Sequence, residues 1–313
     1  ANTGPARGTV RLEAPGGWKA APPAAPFELE KPGEQRTLVF EVTPPVEAAR
    51  SALRAVAAID GREIASSMQV LAYPHIPPQA VFPAASVDAV RADVAITAKT
   101  IGYVMGAGDE VPEALRQLGC TVTLLAAEEL ARGGLGGYDA IVTGVRAFNT
   151  RPDLRANMKR LLDYVERGGT LVVQYNVLEG GFLAGDPRAL DTLGPYPLRV
   201  GRGRVTVEEA PVSFLHPAHS LMQSPNPLTA SDFAGWTQER GLYFAAEWDP
   251  RYTPLFALND PGEEPLSGAT LYARYGKGSY VFTAFSWFRQ LPAGTPGAYR
   301  IFANLLSAGK TVR

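Results

Sequence analysis

Apolar and polar positions alternate in steps of two near the start of the chain. Thr9-Val10-Arg11-Leu12-Glu13 shows the pattern, and so does Thr37-Leu38-Val39-Phe40-Glu41-Val42. A period of two puts successive side chains on opposite faces of a strand. Later runs at 52–59 and 63–72 are apolar and are bounded by turn signals such as Asp60-Gly61. The segments between them hold Pro22, Pro23, Pro26, Pro44 and Pro45, and no helical period appears. Short strands at this spacing predict an immunoglobulin-like β-sandwich over residues 1–78. Tyr73-Pro74-His75-Ile76-Pro77-Pro78 suits neither a regular helix nor a central strand and reads as the start of an interdomain connection. Residues 79–97 read as a linker or an edge strand.

From residue 98 the pattern changes. Ile101-Gly102-Tyr103-Val104-Met105 is a short buried strand, and Gly106-Ala107-Gly108 is a turn. A helix follows over 109–118, with Asp109 at its N-cap and Pro112 in its first turn. Strands are predicted at 121–125, 138–143 and 170–175. Between the last two, Pro152 to Arg167 reads as one amphipathic helix with apolar Leu154, Met158, Leu161, Leu162 and Val165, closed by Gly168-Gly169. Apolar strands alternating with helices imply a parallel sheet covered on both faces. Residues 185–265 are less regular. Order returns with runs at 269–275 and 279–285 around Gly276-Lys277-Gly278, a hairpin signal, and a last helix over 297–306.

Composition supports this division. Of 313 residues 46% are apolar, enough for two cores at the usual domain size. A net charge of -1 offers no bulk attraction to nucleic acid or anionic membrane. No stretch reaches the roughly 20 apolar residues of a membrane span. One cysteine, Cys120, excludes an internal disulfide and a cysteine-cluster metal site. The first residues, ANTGPARGTV, carry no signal pattern and read as a linker, so the natural chain is expected to be longer.

In an open parallel sheet, ligands bind beyond the carboxyl ends of the strands. That rule selects Asp109 and Glu110 after the first strand, and Arg146, Asn149 and Arg151 after the third. It adds Gln174, Tyr175 and Asn176 after the fourth, and Ser286, Trp287, Arg289 and Gln290 after the hairpin. The bland alternative is that these are helix caps and loop ion pairs. Gly106-Ala107-Gly108 lacks the further glycine of a dinucleotide loop and the lysine of a P-loop. The strand-to-helix turn Gln174-Tyr175-Asn176-Val177 offers no serine or cysteine nucleophile. Cys120 reads as a small packed residue. His216 and His219 lie in a loop around Pro217, without a third metal ligand. The segment 232–244 is dense in aromatic and charged residues. Trp236 and Gln238 could serve a sugar, one by stacking on its C–H face and one by hydrogen bonding its hydroxyls. An aromatic cluster capping the sheet under a long loop explains the segment equally well.

Five stretches, IGYVMGAGDEVPEAL, YDAIVTGVRAFNTR, YVERGGTLVVQYN, DFAGWTQERGLYFA and SWFRQLPAGTPGAYRIFANLL, resemble in order the C-terminal region of large bacterial PIG-L/LmbE-like deacetylases. The first domain is similar to NPCBM-associated sandwich domains found beside carbohydrate-active enzymes. The second is similar to class I glutamine-amidotransferase-like (ThuA-like) domains. The resemblance implies an α/β fold: a flavodoxin-like parallel-sheet domain over 98–313, preceded by the small immunoglobulin-like sandwich. It also implies a secreted or periplasmic parent protein that removes acetyl groups from N-acetylglucosamine-type substrates, with zinc held by an AHPDDE-type motif. That motif is absent here, so no zinc ligand or catalytic residue carries over, and no metal or cofactor is expected of this chain. The amidotransferase fold would place a cysteine at its elbow and a His-Glu pair downstream, and neither is recognised at the turn after Val173.

Three readings follow. The first is a non-catalytic accessory region that binds a glycan or amino sugar, or docks its own catalytic deacetylase domain. The second is an enzyme with an unrecognised hydrolase-type site, in which Asp109 or Glu110 is a general base and Arg146 an electrostatic stabiliser. The third is a structural or oligomerisation domain.

Overall fold

In the computed structural model, residues 4–178 and 193–310 are described, so part of the irregular region at 185–265 lies outside the described residues. The chain forms two compact units, divided between Asp93 and Val94.

The first unit is antiparallel β throughout. Its strands are β1 (Ala6–Glu13), β2 (Lys19–Ala21), β3 (Ala25–Leu29), β4 (Glu41–Thr43), β5 (Ala49–Ile59), β6 (Arg62–Ile64), β7 (Gln69–Tyr73), β8 (Ile76–Val81) and β9 (Ser86–Arg91). The long β5 organises them: β1 lies along one edge, and β6 and β9 share the other. Trp18, Ala25, Leu53 and Val56 are its buried apolar residues. The segment expected to start an interdomain connection is instead the turn of a hairpin. Gln69–Tyr73 pairs with Ile76–Val81, and a register shift between Leu71 and Tyr73 leaves Pro77 and Pro78 outside the paired positions. Proline lacks an N–H, so it survives in a strand only where no ladder bond is required of it. Residues 86–91, within the stretch read as linker or edge strand, pair with β5.

Hydrophobic continuity fixes the second unit. Its first half runs β10 (Thr100–Val104), α1 (Val111–Gln117), β11 (Thr121–Leu124), α2 (Ala127–Arg132), β12 (Ala140–Thr143), α3 (Ala147–Thr150), α4 (Pro152–Ala156), α5 (Met158–Glu166) and β13 (Thr170–Gln174). Its second half holds β14 (Leu198–Val205), β15 (Val212–Phe214), α6 (Ser220–Gln223), β16 (Gly241–Trp248), β17 (Thr253–Pro254), β18 (Phe256–Leu258), β19 (Thr270–Tyr275), β20 (Gly278–Thr283), α7 (Trp287–Gln290) and α8 (Pro296–Leu306). The central sheet has the order β11-β10-β12-β13-β20-β19-β17. Its first five strands are parallel, and β19 and β17 continue it antiparallel. Every residue of β12, β13 and β20 is buried, which explains why these strands read as apolar runs rather than alternations.

The helix predicted as one piece over 152–167 is two. Asn157 separates α4 from α5, and its Nδ2 donates to the Asp153 carbonyl at 2.9 Å. A side chain that bonds back to its own preceding turn competes with the helical ladder there. The α5 stripe Met158, Leu161, Tyr164 and Val165 is buried, as its period requires.

Candidate functional site

The carboxyl ends of β10, β12, β13 and β20 meet at one edge of the sheet, and a buried polar cluster occupies that edge. The Tyr103 hydroxyl donates to Asp109 Oδ1 at 2.7 Å and accepts from Gln174 Nε2 at 3.1 Å. Asp109 also accepts from the Val111 and Val145 backbone N–H groups, each at 3.1 Å. The carboxylate therefore ties the end of β10 to the turn after β12. It lies one residue before the N-cap position, which Glu110 occupies, and so does not cap α1 as predicted. Burial, then the Asp109 charge, pushes the Tyr103 phenol well above its usual range, so it remains a donor. Among the described residues, six buried side-chain polar atoms have no hydrogen-bond partner, and two of them, Gln174 Oε1 and Thr143 Oγ1, lie at this edge. Buried polar groups are nearly always paired, so the two orphans on these adjacent strand ends carry an unmet hydrogen-bonding capacity.

The backbone supplies the sharper signal. Arg146 has φ +59° and ψ +24° at the junction of β12 and α3. An L-residue in the left-handed region costs about 1–2 kcal/mol. The turn is clamped on both sides. A Cβ on Gly106 would fall 2.1 Å from the Val145 carbonyl oxygen, and one on Gly144 would fall 2.8 Å from Asp109 Oδ2. The sequence Gly144-Val145-Arg146-Ala147 thus builds a strand-to-helix elbow of the kind that exposes a nucleophile in hydrolases. The turn Gln174-Tyr175-Asn176, expected to be the elbow, has no positive φ and leads toward residues 179–192, which lie outside the described ones. The strained position carries a guanidinium, which is always protonated and cannot attack.

Around Arg146 a partly aromatic wall forms. Tyr175, after β13, packs on Tyr243 and on Phe288, each with ring centroids 5.6 Å apart. Burial, with Tyr243 and Glu239 beside it, raises the Tyr175 phenol above its usual range, while Arg146 and Arg289 act in the opposite sense. Glu239 accepts from Arg289 Nε at 2.9 Å and from the Ser286 hydroxyl at 3.2 Å. Tyr243 has φ +58° at a bulge where Gly203 pairs with Phe244 and Arg204 with Leu242. Bulges near functional sites re-aim side chains, and here the bulge turns a tyrosine toward Tyr175. The second unit's described non-glycine residues with positive φ are Arg146, Gln238 and Tyr243, and all three belong to this neighbourhood.

The predicted site residues divide sharply. Arg146 and Arg289 are half-buried and reach the crevice. Asn149 clasps the Val177 backbone through two bonds of 3.0 Å. Arg151 is spent on Asp153 and on the Met105 and Leu125 carbonyls. Asn176 is fully buried between the Phe148 N–H and the Gln174 carbonyl. Gln174 supports Tyr103 from below, and Glu110 is exposed. Gln238 is exposed, with its backbone N–H donating to Glu208. The stacking role expected of Trp236 is corrected. Its ring is 3% exposed, packs on Phe233, Phe285 and Trp287, and donates Nε1–H to the Asp232 carbonyl at 3.1 Å. Buried Arg240 lies over that ring at 5.4 Å, and burial lowers its pKa to about 10. The crevice residues that the strand-end rule did not select are Tyr243, Glu239 and Phe288; it did select Tyr175. The available signal was the Gly-x-Arg-Ala elbow itself.

Cys120 is buried before β11, at the amino end of the sheet, with Sγ 3.5 Å from the Ala98 carbonyl oxygen. Burial raises its thiol, the opposite of an activated nucleophile. His219 caps α6, its Nδ1 accepting from the Leu221 N–H at 3.2 Å.

The parallel order, with the second strand outside the first and the later strands on the other side, is the doubly wound flavodoxin order. It defines a flavodoxin-like α/β domain. No family model matches the chain, and no curated protein does. Among solved structures it is similar to a GMP synthase subunit from Thermoplasma acidophilum. The identity is 12% and the TM-score 0.41, over 68% of this chain and 94% of that one. A ThuA-like protein from Bacteroides uniformis gives 13% identity and a TM-score of 0.40, over 67% and 90%. A β-galactosidase from Rahnella sp. R3 gives 17% and 0.39, over 70% of this chain and 32% of that enzyme. The flavodoxin-like fold is read from the strand order of this chain.

Proposed function

We propose that the second unit is a non-catalytic binding module whose crevice takes an acidic sugar. One observation carries the reading: the elbow that would present a nucleophile presents Arg146. A guanidinium fork suits a carboxylate. The Tyr175, Tyr243 and Phe288 rings offer apolar surface to a sugar's C–H face, and the half-buried Glu239 offers an acceptor to its hydroxyls. The general-base reading loses support because Asp109 already accepts three hydrogen bonds from the fold.

The wider role rests on the resemblance: an accessory region of a secreted or periplasmic PIG-L/LmbE-like deacetylase. A separate observation favours docking of the catalytic domain by the first unit. Val70, Tyr73 and Phe82, on and beside the β7–β8 hairpin, are 55%, 55% and 63% exposed. Exposed apolar clusters of this kind commonly mark interaction surfaces.

Calorimetric titration with acidic oligosaccharides, N-acetylglucosamine oligomers and peptidoglycan fragments tests the crevice. A charge-assisted hydrogen bond contributes about 1.5–3 kcal/mol. Arg146→Ala should therefore weaken binding of the acidic ligand at least tenfold and leave neutral oligomers unaffected. Absence of saturable binding, or a variant that binds as the parent does, overturns the reading.

A further inference from the structure

The amino end of the same sheet holds a second feature, away from the crevice. A groove of about 570 Å³ lies before β12 and β13. Its walls include Arg132, Arg160 and Arg167, together with Gly133, Gly134 and Gly136 of one loop. That volume is within the usual range for small-molecule sites.

Three observations point to an occupant. The first is charge. Arg132, Arg160 and Arg167 are all exposed, and among the described residues none of their guanidinium groups has an ion-pair or hydrogen-bond partner. Two carboxylates also line the groove, but both are engaged. Asp139 accepts from the Lys99 and Thr100 N–H groups, and Asp163 is paired with Lys159. The second is position. Arg132 lies in the last turn of α2 and Arg167 at the C-cap of α5, where the helix dipole welcomes a cation. Arg160 lies in the first turn of α5, where the dipole disfavours one, so helix electrostatics do not account for it. The third is space. Gly136 and Gly137 have no positive φ, and a Cβ on either would meet nothing within 4 Å. Neither backbone conformation nor packing demands glycine at either position, and the side chain missing at Gly136 leaves the groove open.

We propose that this groove binds a multiply charged oxyanion, a phosphate or sulfate group carried on a small molecule or a sugar. Three guanidinium-bearing residues lining one groove suit tetrahedral oxyanions, which accept in several directions at once. The proposal is independent of the crevice, since it uses none of the crevice residues.

The test is thermal unfolding and calorimetric titration with pyrophosphate and with a sulfated disaccharide, each against sodium chloride at matched ionic strength. Both the Arg160→Ala/Arg167→Ala and the Gly136→Phe/Gly137→Phe variants should fold with an unchanged midpoint, because these positions are exposed. Expected is saturable binding of at least one of the two oxyanions, lost at least tenfold in the arginine variant and also in the glycine variant. A preference for one probe identifies the source of the oxyanion. The proposal fails if chloride reproduces the stabilisation, if neither probe saturates, or if both variants bind as the parent does.

Discussion

Two aromatic groups sit within a few residues of each other in sequence and behave as opposites. Phe233, Trp236, Phe256, Phe285 and Trp287 form a buried cluster with ring centroids 5.3–5.7 Å apart for most neighbours. Tyr175, Tyr243 and Phe288 form a smaller group at the edge of the crevice, beside Arg146 and Arg289. The first group encloses its cation: Arg240 is 3% exposed and donates to the Ala210 and Phe233 carbonyls. The second leaves its arginines half-exposed. A charge satisfied by carbonyls under a ring stabilises a fold, whereas a charge held beside rings at an opening is available to a ligand.

The largest expected effect separates these two roles. Trp236→Ala should cost about 3–5 kcal/mol of stability, the usual range for removing a buried tryptophan. Tyr243→Ala should cost about 1 kcal/mol, as expected for a partly exposed side chain. Denaturant midpoints at constant m-value report both. Equal losses would mean that the crevice rings are core and not a binding wall.

A smaller effect is expected at the elbow, and with the opposite sign. Glycine occupies the left-handed region freely, so Arg146→Gly should leave stability unchanged or raise it by about 1 kcal/mol. The same variant should lose acidic-ligand binding. A gain in stability with a loss of binding is the signature of strain kept for a site. A drop of more than about 1 kcal/mol would instead show that the guanidinium is a structural brace.

The sequence made one side of this contrast legible and hid the other. Strands such as β12, β13 and β20 are buried on both faces, so their identity is written in uninterrupted apolar runs. The strand-end rule likewise pointed to the edge where Arg146 and Arg289 lie near Tyr175. Orientation was not readable. Aromatic density at 232–244 says that rings are present, not that Trp236 faces inward while Tyr243 is turned out by a bulge. Conformation was hidden for a related reason. Left-handed backbone is usually announced by glycine or asparagine, and here it falls on an arginine, fixed by the close approach of Gly106 and Gly144. Asn149, Arg151 and Asn176 have the same chemistry as ligand-binding side chains, and only their partners reveal them as braces.

The smallest effect concerns a ring at the margin of the packed region. The His219 imidazole lies edge-on to Tyr272 at 4.8 Å, and its Nδ1 accepts the Leu221 N–H. An acceptor nitrogen must be unprotonated. Partial burial, and then nearby His216, lowers its pKa below the ordinary histidine value of 6.5. The unfolded chain therefore takes up this proton more readily than the folded one. Its contribution to stability is full above about pH 6.5, the unfolded value, and is lost as pH falls through the lowered folded value. His219→Asn keeps a side-chain acceptor for the α6 cap but cannot titrate. The variant should show a flatter stability profile between about pH 7 and pH 5 and should match the parent at pH 8. Parallel profiles across that window would mean that His219 titrates alike in both states, and that the Leu221 cap and the Tyr272 contact do not depend on its charge.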